Sequence, residues 1–99
     1  MNLIELEADS VRYFSENDEL AFFNWLQKIS CVKKYEGRGT TLHIFVDTNA
    51  INDVDLRELL ALFRRYQTPL AQLKIFDKPE FAGWFRDPRG YWHSEIFGS

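Results

Sequence analysis

One cysteine, two histidines and three prolines are all that this chain of 99 residues has of those types. A lone Cys31 can form no internal disulfide and no Cys-x-x-Cys metal pair, which fits a reducing compartment, and it reads as a half-buried strand residue rather than a nucleophile. The histidines, His43 and His93, stand in no HxxxH, HExxH or Cys/His spacing, so no transition-metal site is expected. There is no GxxxxGK[ST] and no GxGxxG. Gly37-Arg38-Gly39 is better explained as a hairpin turn. Ser10, Ser15, Ser30 and Ser94 lack a nucleophile-elbow context. The sequence therefore points to no catalytic residue, no cofactor and no metal. Long hydrophobic runs are missing too, the longest being four or five residues. No segment can span a membrane, and "MNLIELEADS" offers neither a basic n-region nor a long h-region, so a cytoplasmic location is expected. Excess positive charge is also lacking. A net charge of −3 argues against direct nucleic-acid binding and is compatible with a basic protein as partner.

What the chain does have is apolar and aromatic surface, 45% and 16% of its residues. That is enough to offset the ordering entropy of one domain, which at this length buries roughly 60–65% of its unfolded surface. Residues 1–99 read as a single unit, with a core over about 3–76 and an aromatic C-terminal extension over about 77–98. Leu3 to Phe14 alternates twice with a phase slip at Asp9-Ser10, predicting one long strand with a bulge or a tight hairpin there. "SENDELAFFNWLQKIS" predicts a helix capped by Ser15, with Glu16 and Glu19 complementing its positive end. Cys31–Glu36 and Thr40–Asp47 predict a hairpin around Gly37 and Gly39. Asn52 caps a second helix whose Leu56, Leu59, Leu60 and Phe63 keep helical spacing and whose end carries Arg64 and Arg65. "LAQLKIF" predicts a short strand around Leu73–Phe76.

The resulting order, βαββαβ, is an α+β split βαβ (ferredoxin-like) sandwich followed by the aromatic extension. Two helices would cover one sheet face. The ending would then cover the other, with Trp84, Phe85, Trp92, Ile96 and Phe97 lying beside Phe45. "DKPEFAGWF" predicts a short helix, and "DPRGYWHSEIFG" predicts a second one, with a strand over Tyr91–Phe97 as the alternative. In this arrangement the first and third strands are central, adjacent and parallel, so both helices start at one rim. Glu16, Asp18 and Glu19 would then join Asp47, Asp53 and Asp55 in a single negative field. Helix capping accounts for acidic first turns without any ligand. The same rim also makes Glu16, Asp18, Glu19, Asp53 and Asp55 candidate partner contacts, with Tyr91 as an aromatic one. Asp-x-Asp at a helix start is too common to support a hard-cation site.

The stretch "DVDLRELLALFRRYQTPLAQLKIF", followed by "WFRDPRGYWHSEIFG", resembles small immunity proteins of bacterial polymorphic-toxin and contact-dependent growth inhibition systems, over about Ser15 to Gly98. The resemblance implies a non-enzymatic cytoplasmic protein, a monomer or weak dimer. It would bind one cognate toxin domain, often a basic nuclease, and block its active site or substrate-binding surface. The other class open to such a fold is a regulatory or small-molecule-binding domain that uses a sheet face or a dimer interface.

Overall fold

Alternation in the first segment produces strand β1, Leu3–Asp9, with Leu6 and Ala8 buried on one side and Glu5, Glu7 and Asp9 exposed on the other. This is seen in a computed structural model that describes residues 2–98. The strand is shorter than its alternation suggested. Ser10 adopts a φ of 53°, a left-handed conformation that turns the chain out of the sheet, and its N–H donates to Thr40 C=O at 2.7 Å. Val11 and Tyr13 then pack half-buried against the core instead of extending the strand. Helix α1, Glu16–Lys28, starts where Ser15 caps it, the Ser15 hydroxyl accepting from Asp18 N–H at 3.2 Å. Strands β2, Val32–Arg38, and β3, Thr41–Asp47, form the expected hairpin, turned at Gly39 with a φ of 62°. Helix α2, Asp53–Arg65, is capped by Asn52, whose side chain accepts from Asp55 N–H at 2.8 Å. Leu56, Leu59, Leu60 and Phe63 are fully buried, as their spacing foretold.

The three strands form one antiparallel sheet in the order β1-β3-β2. β1 and β3 are neighbours, as expected, but they run in opposite directions. Consequently α1, which follows β1, and α2, which follows β3, begin at opposite rims. Three contacts fix that arrangement. Tyr66 at the end of α2 donates its hydroxyl to Asp18 Oδ1 at the start of α1, 3.0 Å. Trp25 Nε1 donates to Glu58 in mid-helix at 2.8 Å, and Ser30 beyond the end of α1 donates to Asp55 at the start of α2 at 2.7 Å. The single acidic rim therefore does not form. Its two halves lie a helix length apart, about 20 Å for 13 residues.

Leu70–Phe76 is not a strand but a 3₁₀ segment. Leu70, Leu73 and Phe76 are buried while Ile75 is 55% exposed. The apolar period is thus three, the repeat of a 3₁₀ turn, where a strand would need two. The segment still closes the edge of β1. The Gln72 side-chain amide accepts from Glu7 N–H and donates to Glu7 C=O, both at 2.8 Å, taking the place of one peptide of a missing neighbour.

The ending joins the hydrophobic core, but from another side than expected. It contains a short 3₁₀ turn, Pro79–Phe81, then α3, Ala82–Phe85, and α4, His93–Phe97, so the helical alternative for the last segment is the one observed. Phe81, Phe85, Trp92 and Ile96 are buried in the same cluster as Leu56 and Leu60. Trp84 Nε1 donates to Asp53 at 2.9 Å, Arg57 stacks 4.0 Å from the Trp84 ring centre, and Glu95 accepts from Leu70 N–H at 2.7 Å. These contacts seat the extension against α2 and the 3₁₀ segment. Phe45, on the outer sheet face, is covered by Lys34, with Nζ 4.7 Å from the ring centre.

Candidate functional site

The chain entering α1 places a large apolar side chain in water. Phe14, the residue before the cap, is 86% exposed. Such a residue ordinarily packs on the fourth helical position, but that position here is Glu19, so the ring has no apolar partner along the helix. Its backbone is nevertheless held, because Phe14 N–H donates to Asp18 Oδ2 at 2.9 Å. The neighbouring Tyr13 turns inward instead, edge-on to Phe22 at 5.6 Å between ring centres. One turn into the helix, Leu20 is 58% exposed. Glu16, Glu19, Leu20 and Phe23 line a shallow groove beside it, while Phe14 shares a second recess with Arg12, Arg65, Tyr66 and Gln67. Two exposed apolar side chains therefore stand near the start of α1, Leu20 in a groove with Glu16 and Glu19, and Phe14 in a separate recess with Arg12 and Arg65. Such a surface is suited to a protein partner.

The six residues singled out from the sequence divide accordingly. Glu16 and Glu19 are exposed on this surface. Asp18 belongs to the scaffold, accepting from Phe14 N–H and from the Tyr66 hydroxyl. Asp53 lies at the far rim, committed to Trp84. Asp55 is buried and turned into the scaffold, its carboxylate accepting from the Ser30 hydroxyl and, at 3.0 Å, from Cys31 N–H. Tyr91 is 48% exposed and lines a separate shallow depression with Trp25, Ala61, Arg64 and Arg65. Neither Phe14 nor Leu20 is among those candidates, and Leu20, whose place in the apolar stripe Leu20, Phe22, Phe23, Trp25, Leu26 and Ile29 predicts burial, is exposed instead. The available signal was an aromatic just before a helix cap with a charged residue at the position it should meet.

Electrostatics follow the same division. Tyr13 is pushed up to about 12, first by burial and then by the negative charges of Glu19 and Asp18 along with Tyr66. Tyr66 is raised by burial and by its hydrogen bond to Asp18. The Cys31 thiol is pushed up to about 12 by burial and next by Asp55, so at neutral pH it is an unreactive thiol. A further cleft lies where α2 ends, lined by Phe63, Arg64, Gln67, Thr68, Pro69, Leu70 and Glu95. Its one acid, Glu95, is already tied to Leu70 N–H.

Comparison with protein families, with curated proteins and with solved structures finds no match for this chain. Among the described residues, no helix is long and apolar enough to cross a membrane.

Proposed function

We propose that this protein is a cytoplasmic immunity protein that binds a basic toxin domain, such as a nuclease, and neutralises it stoichiometrically. The observation that carries this reading is the exposure of Phe14 and Leu20 near the start of α1, with Glu16 and Glu19 beside Leu20. An exposed aromatic on a fixed backbone supplies a docking anchor at little entropic cost. The flanking carboxylates match a cleft that binds nucleic-acid phosphates, and they speed encounter with it. The aromatic ending, built into the core, serves as scaffold for that surface. Co-expression with the toxin domain encoded beside it tests the reading: a stable complex and restored growth are expected. No complex, or a complex that leaves growth inhibited, contradicts it.

A regulatory or small-molecule-binding domain of ferredoxin-like type is the second reading. The strand order β1-β3-β2 favours it, while the antiparallel pairing of β1 with β3 departs from the split βαβ arrangement. In this view the 3₁₀ segment with Gln72 replaces the fourth strand at the β1 edge. A dimer mass that rises with concentration favours that reading over the first.

A further inference from the structure

The outer sheet face brings together three side chains that the function proposed above does not use. Glu5 and Glu7 lie two residues apart on β1 and so project to the same side. His43 on β3 is directly opposite Glu7 and diagonal to Glu5. One donor atom from each, Glu5, Glu7 and His43, falls within 4.8 Å of the others, the one such group of three among the described residues. His43 Nδ1 contacts Glu5 Oε2 and lies 3.7 Å from Glu7 Oε1.

An ion pair alone accounts poorly for this convergence. One ring nitrogen can serve one carboxylate with a hydrogen bond, and 3.7 Å is too long for a second. Even a charged imidazolium would leave two carboxylates with one positive charge between them. The nearby cations are engaged elsewhere: Lys34 lies over Phe45, and Arg38 pairs with Glu36, which flanks His43 from β2. A divalent ion at this point would neutralise both carboxylates and take the nitrogen as a third donor. Donors at about 2.1 Å around a tetrahedral ion stand about 3.4 Å apart, close to the Glu7–His43 separation, and Glu5 would draw back from its direct contact with His43 to admit the ion.

We propose that Glu5, Glu7 and His43 form a site for a zinc-type divalent cation. The imidazole donor selects a borderline ion such as Zn²⁺ over Mg²⁺ or Ca²⁺, which prefer oxygen alone. The three backbone positions are fixed by strand pairing. The His43 side chain is only 13% exposed, whereas Glu5 and Glu7 are 41% and 61% exposed. The ion therefore enters from solvent and keeps at least one position for water.

Titration of the full chain with Zn²⁺, and with Co²⁺ as an absorbing probe, tests the proposal. Saturation at one ion per chain is expected, with a tetrahedral Co²⁺ visible band and a rise in Tm that EDTA reverses. His43→Gln should abolish binding, and Glu7→Gln should weaken it at least tenfold, about the lower bound for losing even an outer-shell partner. His93→Gln should leave binding unchanged. If His43→Gln fails to fold, zinc-dependent shifts of the His43 ring resonances in the wild-type chain, with His93 unmoved, decide the matter. No saturation, equal binding by His43→Gln, or shifts centred on His93 would mean an adventitious ion only and would overturn the proposal.

Discussion

At the scale of single residues, identity in the sequence and job in the fold parted most sharply at the carboxylates. Asp53 and Asp55 both looked like first-turn acids free for a partner. Only the packing of the end of α1 against the start of α2 shows that Asp55 holds Ser30 and Cys31. Asp55→Ala should therefore lower stability by roughly 2–4 kcal/mol, measurable by urea unfolding, because it strands a buried N–H and removes a charged acceptor. Asp55→Asn should cost less, since it retains an acceptor oxygen. Gly90 is a second such residue. A Cβ there would lie 2.6 Å from the Trp92 indole, which is itself fixed by a 2.7 Å bond to Phe85 C=O. Gly90→Ala should cost about 1–3 kcal/mol by the same measurement. Buried Cys31 and half-buried Tyr13 set the alkaline limb. Both have folded values above their ordinary ones, so the unfolded chain loses these protons first. Their contribution is intact below pH 9 and is lost as pH rises towards 12. Cys31→Ala should flatten the onset of that decline in a pH series of unfolding midpoints.

At the scale of elements, what the sequence made plain was the local grammar. Ser15 and Asn52 cap the helices they were expected to cap, and Gly39 turns the hairpin. The error in "LAQLKIF" was one of period. Leu73 and Ile75 suggest alternation, but the triplet Leu70, Leu73 and Phe76 is what the core takes. The link from Gln72 to Glu7 spans 65 positions, and nothing in either neighbourhood announces it. Gln72→Ala should lower stability by about 1 kcal/mol, because water can replace much of an exposed pair. It should also speed amide hydrogen exchange at Glu7, while β2 amides keep their protection.

At the scale of the whole molecule, the apolar and aromatic share implied a packed core, which takes Phe22, Phe63, Phe76, Phe81, Phe85 and Trp92, and the direction of strand pairing governed everything else. Reversing β1 against β3 moved α2's acidic start to the far rim and left the start of α1 to act without it. The aromatic ending proved to be core by burial, yet it is seated beside α2 where Trp84 meets Asp53 and Arg57. A chain cut after Phe76 loses Phe81, Phe85, Trp92 and Ile96 from one contiguous cluster and should not fold cooperatively, as read by thermal melting. The most direct test of the functional proposal is the affinity of any toxin domain encoded beside this chain for wild-type chain and for Phe14→Ala, with matched unfolding midpoints. The account predicts a one-to-one complex weakened at least about 30-fold by Phe14→Ala, the cost of losing a central anchor. An unchanged affinity, or no complex with the wild-type chain, would contradict it.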